Sequence, residues 1–98
     1  NISLENISMQ TDKGVVLIEG ENVTIRNSTF YTKDKTAIQV QNSKGLMFDN
    51  IGYNNVETLI SINGNRSKNI RLINTDTKKA GAEVKFGDKV SGNVYNTK

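Results

Sequence analysis

Side chains suited to bond-breaking chemistry come together most closely at Asn74-Thr75-Asp76, a carboxylate beside two hydrogen-bonding groups. Hydrolysis at a sugar acetal uses two carboxyl groups flanking one bond, and inversion needs about 6.5–9.5 Å between them. Asp76 meets half of that requirement. Asp12, Asp34 and Glu57 fall in polar stretches read as loops, where they either line a groove or sit as solvated surface. The chain has no His and no Cys. The commonest general base, the commonest metal ligand and thiolate chemistry are therefore missing. No Asp/Glu set has the spacing of a calcium loop. These residues assign no catalytic, cofactor-binding or metal-ligating position, and no cofactor is expected.

The stretch that leads into Asp76 recurs. Asn69-Ile70-Arg71-Leu72-Ile73-Asn74 is matched by Asn1-Ile2-Ser3-Leu4-Glu5-Asn6, Asn22-Val23-Thr24-Ile25-Arg26-Asn27 and Gly45-Leu46-Met47-Phe48-Asp49-Asn50. Each reads apolar, any, apolar, any, Asn. The final Asn falls at 6, 27, 50 and 74, giving steps of 21, 23 and 24 residues. A fixed period of this size is the signature of a repeat architecture.

Aligned on the Asn, the four copies give columns. Ile2, Val23, Leu46 and Ile70 form one; Leu4, Ile25, Phe48 and Leu72 the next. Downstream strands are expected at Val15-Val16-Leu17-Ile18, Ala37-Ile38-Gln39-Val40, Leu59-Ile60-Ser61-Ile62 and Glu83-Val84-Lys85-Phe86. They add the columns Val16, Ile38, Ile60, Val84 and Ile18, Val40, Ile62, Phe86. A weaker column is Met9, Phe30, Tyr53, Thr77. Within each segment apolar and polar residues alternate, the period of a strand, and no helical period is sustained. Ser3, Thr24, Met47 and Arg71 are expected to face outward.

Strands this short cannot bury an apolar face alone. Stacked in register, the same strand of successive turns pairs in parallel, about 4.8 Å apart, around a continuous core. The expected fold is all-β: a right-handed parallel β-helix (solenoid) of about four rungs, each of 21–24 residues. Right-handed crossovers are the default for parallel strands. No hexapeptide repeat argues for a left-handed β-helix, and Leu is too sparse for a leucine-rich repeat. The loops are Gln10 to Gly14, Tyr31 to Thr36, Asn54 to Glu57 and Lys78 to Gly81. Val90 to Lys98 reads as the start of a fifth turn anchored by Val94.

Asn tolerates left-handed backbone at a tight bend. Asn6, Asn27, Asn50 and Asn74 are expected to mark one corner of each rung. Their amides either bond to one another as an interior ladder, the favoured reading, or act as turn residues with no mutual bonding.

An apolar fraction of 35% is low, but its patterning excludes disorder. The net charge of +3 is spread along the chain, which argues against nucleic acid as a partner. No apolar run is long enough to span a membrane. Lys33, Lys35, Lys44, Arg66, Lys68, Lys78 and Lys79 lie near turns; Lys44 and Lys68 occupy equivalent ones. They read as solubilising surface, or as attraction for an acidic polysaccharide. Tyr31 and Tyr95 are candidate platforms for sugar stacking, whereas Phe30 and Tyr53 fall in the inward column. Asn-x-Ser/Thr triplets at Asn1, Asn6, Asn22, Asn27 and Asn65 match the glycosylation pattern and read as by-products of Asn-rich turns.

With the repeat, the Asn corners and Ser67-Lys68-Asn69-Ile70-Arg71-Leu72-Ile73-Asn74-Thr75-Asp76, the chain resembles the C-terminal rungs of bacterial glycoside hydrolases of family 28, the polygalacturonase group. In that family an Asn-Thr-Asp motif, an Asp-Asp pair, a Gly-His-Gly motif and an Arg-x-Lys motif act from neighbouring rungs. This chain has no His and no Asp-Asp pair. The resemblance thus implies a single segment, residues 1–98, from the C-terminal part of a larger extracellular or periplasmic β-helix, with the catalytic acids on rungs before it. It implies a galacturonan-like acidic polysaccharide as partner of the whole protein. The rival expectation is a non-catalytic extracellular β-helix module for polysaccharide binding or surface structure. The first rung should present an open sheet edge, inviting end-to-end self-association.

Overall fold

The computed structural model describes residues 2–88 and 90–97; Asn1, the first residue of one Asn-x-Ser/Thr triplet, and Lys98, the last of the expected fifth turn, lie outside the described residues. Among these, ten strands run in order: β1 (Ile2–Glu5), β2 (Ser8–Thr11), β3 (Val15–Ile18), β4 (Glu21–Thr32), β5 (Thr36–Gln41), β6 (Lys44–Tyr53), β7 (Val56–Asn63), β8 (Lys68–Ile73), β9 (Ala80–Phe86) and β10 (Tyr95–Asn96). All the pairings are parallel and join a strand to its counterpart one turn later. One sheet has the order β1-β4-β6-β8-β10, with β2 also on β4; the other has the order β3-β5-β7-β9. The chain is an all-β parallel solenoid of about four turns. Each turn has three sides, because β4 and β6 both bend at a central Asn and supply two sides each.

The columns on the first side hold. Ile2, Val23, Leu46 and Ile70 stand in register, as do Leu4, Ile25, Phe48 and Leu72. Met9, Phe30 and Tyr53 align on the second. Inside, Phe48, Ile38, Leu59, Ile60, Ile62 and Ile70 are completely shielded from solvent. The column beside this core, Glu5, Arg26 and Asp49, faces out and alternates in charge, with Arg26 reaching Asp49 at 3.4 Å and Glu5 at 3.9 Å.

One register differs from the sequence expectation. In β3 it is Val15 that pairs with Ile38 and Leu17 with Val40, so Val16 and Ile18 face outward. Four consecutive apolar residues carry no alternation, and a one-residue slip swaps the two faces. The corner decides the register. Glu19 takes the left-handed position that Asn42 holds one turn later, with its amide donating to the Gln41 carbonyl at 2.8 Å.

The strands also run further than expected. Tyr31, Thr32, Val56, Glu57, Ala80 and Gly81 are strand residues. Backbone pairing carries them: the Val56 amide reaches the Lys79 carbonyl at 3.2 Å. The loops shrink to match.

Corners use left-handed backbone in three columns. Asn6, Asn27, Asn50 and Asn74 have φ of 58°, 51°, 55° and 52°. Asn22, Gly45 and Asn69 form a second such column, and Glu19, Asn42 and Gly64 a third. Gly64 needs to be glycine on two counts. Its φ is 90°, and a Cβ there would lie 2.0 Å from Asn42 Oδ1.

The expected interior ladder is corrected. All four corner Asn side chains face solvent. Asn50 Nδ2 donates to Asn27 Oδ1 at 2.9 Å, but Asn74 Nδ2 donates to Asp49 Oδ1 instead. In the left-handed conformation the side chain is thrown outward, and the next residue turns in. There, buried or half-buried hydroxyls bind one turn to another. Ser28 Oγ accepts from the Ile7 amide at 3.2 Å and donates to the Arg26 carbonyl. Thr75 Oγ1 does the same between Ile51 and Ile73. At the third corner Ser43 Oγ accepts from the Gly20 amide at 3.0 Å.

A fifth turn begins as expected, but Tyr95 is its anchor. One turn of 3-10 helix, Gly92–Val94, delivers Tyr95 into register with Ile70. Val94 packs partly buried beside it. The Tyr95 hydroxyl donates to Glu83 Oε2 at 2.6 Å, and its ring meets Phe86 edge-on with centroids 6.5 Å apart. Burial, then the Glu83 carboxylate, pushes the phenol well above its ordinary range. An unfolded tyrosine ionises near pH 10, so above about that pH the unfolded chain sheds a proton the folded chain keeps. The Tyr95 contribution is whole below that pH and lost above it. Thermal midpoints measured between about pH 9 and 11 should fall less steeply for Tyr95→Phe than for the parent. Parallel curves would show that Tyr95 does not control the alkaline limit.

Candidate functional site

An outward cleft of about 670 Å³ opens on the second side, lined by Gln10, Thr11, Asp12, Tyr31, Thr32, Lys33 and Asn54. Alternation along β4 builds it. Phe30 and Thr32 turn in and are buried, which forces Tyr31 outward, 47% exposed. Gln10 stands directly opposite Tyr31 on the preceding turn.

Asn54 fixes the floor. β6 ends at Tyr53, yet the Asn54 carboxamide continues the ladder in place of backbone. Its Oδ1 accepts from the Thr32 amide at 2.9 Å, and its Nδ2 donates to the Thr32 carbonyl at 2.7 Å. Thr32 Oγ1 in turn accepts from the Asp34 amide at 3.0 Å, and Asp34 Oδ1 accepts from the Lys35 amide at 2.7 Å. Thr11 Oγ1 donates to the Lys13 carbonyl. The turn below Tyr31 is thus held by side chains on both sides.

At the rim Lys33 Nζ lies 3.8 Å from Asp12 Oδ1, with both side chains nearly fully exposed. Such a pair contributes little to stability, and either partner is open to exchange for a ligand group. The arrangement offers a flat aromatic face, a carboxamide, a carboxylate and an ammonium within one cleft. That set suits stacking on the C–H face of a sugar ring, with hydroxyl and carboxylate groups held at the edge. Bond cleavage would need a second carboxyl, and Asp12 is the one carboxylate lining the cleft.

The structure disperses the other candidate residues. Asp34 caps its own turn. Glu57 lies exposed in β7 rather than in a loop. Lys44 and Lys68 are in register, with Glu21 preceding them, and line a shallower groove with Gly45 and Asn69. Tyr95 is partly buried in the fifth turn, with its hydroxyl on Glu83 and its ring against Phe86, so it lies apart from the cleft and is engaged in packing rather than standing out as Tyr31 does.

Asn74-Thr75-Asp76 is occupied at every side chain. Asn74 bonds Asp49, Thr75 bridges Ile51 and Ile73, and Asp76 Oδ1 accepts from the Lys78 amide at 2.8 Å. The Tyr53 hydroxyl also donates to the Asp76 carbonyl at 2.6 Å. Arg66-Ser67-Lys68 has the Arg-x-Lys spacing of the resembled family, on the turn before β8. There Arg66 pairs with Glu19 at 2.8 Å, and Ser67 is buried, donating to the Asn63 carbonyl. Among the described residues no three carboxylates gather where a cation could be held, and no helix is long and apolar enough to cross a membrane.

What sequence reasoning lacked was the cleft itself. Tyr31 and Asp12 were separate candidates, one for stacking and one for a groove. The signal joining them is the rung step: Gln10 to Tyr31 spans 21 residues, the same step as Asn6 to Asn27. Comparison with protein-family models, curated proteins and solved structures finds no match.

Proposed function

We propose that the chain is a scaffold segment of a polysaccharide-acting β-helix protein of polygalacturonase-like type, binding an acidic, galacturonan-like chain without supplying the catalytic acids. The cleft around Tyr31 is the observation that carries this reading: an exposed ring flanked by Gln10 and by the exposed Asp12–Lys33 pair. The rung resemblance supplies the type of parent protein, and the engaged side chains of Asn74-Thr75-Asp76 favour a structural role for that motif. A protein acting on such a polymer works in the extracellular or periplasmic space.

Affinity electrophoresis through gels containing polygalacturonate tests it. The chain should be retarded. Tyr31→Ala should weaken retention roughly two- to twelvefold, the range for losing one aromatic contact of about 0.5–1.5 kcal/mol. Equal mobility of parent and variant, or no retardation of either, would overturn the binding reading. Release of reducing ends by this chain alone would overturn the non-catalytic one.

A further inference from the structure

The outer flank of the first side carries a groove of about 450 Å³ that runs along the solenoid axis. It runs that way because its lining residues hold the same position on successive turns. Ser3, Thr24, Met47 and Arg71 stand in register as one wall. The corner of Asn22, Gly45 and Asn69, all in left-handed backbone, forms the other. A strand spacing of about 4.8 Å makes the groove roughly 14 Å long from Ser3 to Arg71. Its middle is built on β4, β6 and β8, so it belongs to the flank and not to either end.

A second hollow, of about 340 Å³, lies across the corner and shares Asn22, Gly45 and Asn69 with the groove. Gly45 keeps the wall between them low. Its φ is 70°, and a Cβ there would lie 2.8 Å from Asn22 Oδ1, so the Asn22 carboxamide takes the space a side chain would fill. Beyond the corner, Lys44 and Lys68 stand in register on adjacent turns. Like charges directly opposite on neighbouring strands are destabilising. Neither ammonium has a carboxylate partner among the described residues, and Glu21, in register below Lys44, forms no ion pair with it. The contrast is with the outward column of Glu5, Arg26 and Asp49, which alternates in sign and pairs. An anion seated between Lys44 and Lys68 removes a repulsion that the fold leaves standing.

We propose that this groove and its cationic corner are a second binding site, taking an extended acidic glycan laid along the solenoid axis. The inference rests on the reading of the ligand as an acidic polysaccharide, but not on the Tyr31 cleft, which opens on the second side. Lys44 and Lys68 hold carboxylates as point charges. The Asn22 and Asn69 carboxamides and the Thr24 hydroxyl both donate and accept, which suits sugar hydroxyls. Met47, half-buried, offers a soft apolar surface to the C–H face of a ring. The wall repeats one set of groups per turn, a step close to the length of one hexose unit in an extended chain. An extended acidic peptide puts its same-side carboxylates about 6.7 Å apart, out of step with turns about 4.8 Å apart. No aromatic ring lines either hollow among the described residues, so the stacking platform used by single-stranded nucleic acid is missing.

Amide chemical-shift mapping of the parent chain, titrated with galacturonate oligomers, tests the proposal. The amides of Thr24, Gly45, Met47 and Asn69 should shift and saturate, and the affinity read there should fall as salt is raised. Lys44→Gln combined with Lys68→Gln should weaken binding at those amides roughly two- to thirtyfold, the span for two exposed charge contacts. Lys78→Gln combined with Lys85→Gln removes the same charge elsewhere and should leave it unchanged. Shifts confined to Gln10, Tyr31 and Asn54 would overturn the second site and leave the proposed function standing. Shifts at the groove with none at Tyr31 would uphold the second site and overturn the cleft. No shift anywhere would overturn both. An equal loss in the two double variants would reduce the groove to bulk charge, and polyglutamate saturating the same amides as tightly would assign it to an acidic peptide; either result overturns the proposal. The titration reads the parent chain alone, so it decides the matter even if a variant fails to fold.

Discussion

Replacing Phe48 with alanine should cost about 3–5 kcal/mol, the range for deleting a fully buried aromatic side chain. Phe48 is the largest completely buried side chain and stands between Ile25 and Leu72, themselves nearly fully buried. Both neighbours are held by parallel ladders on the turns above and below, so neither can swing into the cavity without breaking pairing. Against a total stability of about 5–15 kcal/mol for a domain of this kind, the loss is a large share. Urea unfolding should show a strongly lowered midpoint with an unchanged slope. A loss under about 1 kcal/mol would mean that the turns slide to refill the space, and that the column is not the rigid spine described here.

The second large effect is expected at a polar residue. Ser43 is fully buried, and its hydroxyl links Gly20 on one turn with Gln41 on its own. Ser43→Ala removes almost no volume but leaves the Gly20 amide without its acceptor in the interior. An orphaned buried donor costs about 1–3 kcal/mol. The Gln41 carbonyl keeps the Glu19 amide as donor, so the loss falls mainly on Gly20. Asn50→Gly is the control: it keeps a left-handed corner and removes only an exposed amide bond. Chemical denaturation of both should rank Ser43→Ala well below Asn50→Gly. The reverse order would return the binding of turns to the Asn amides.

That ranking marks where the sequence was legible. The Asn corners could be located because Asn at a bend has a backbone reason. Their side-chain direction could not, because it follows from the sign of φ at each corner. The residues that turn in, Ser28, Ser43 and Thr75, look like ordinary turn residues until that geometry is known. The apolar columns were readable wherever alternation survives, as in Ile38-Gln39-Val40 and Ile60-Ser61-Ile62. They failed at Val15-Val16-Leu17-Ile18, where both faces are apolar and only Glu19, an unusual left-handed residue, sets the register. Tyr95 was misread for a related reason. With the tail taken as anchored by Val94, its ring was assigned to solvent, whereas register with Ile70 puts it over the core. The cleft was half legible: its residues were identifiable one by one, but their meeting depends on which strand residues face out.

The near-constant spacing of the corners also bears on how the molecule assembles. Every ladder joins residues one turn apart, so the chain enclosed by each new pairing is always 21 to 25 residues. Closing the longest rather than the shortest of these costs only about 0.2 kcal/mol more in chain entropy. Loop closure therefore gives no turn precedence, and the order of folding falls to the strength of the core each pair of turns encloses. The turns of Ile25, Phe48 and Leu72 enclose the most and should pair first. Growth then proceeds outward from these turns like a zipper opened from its middle.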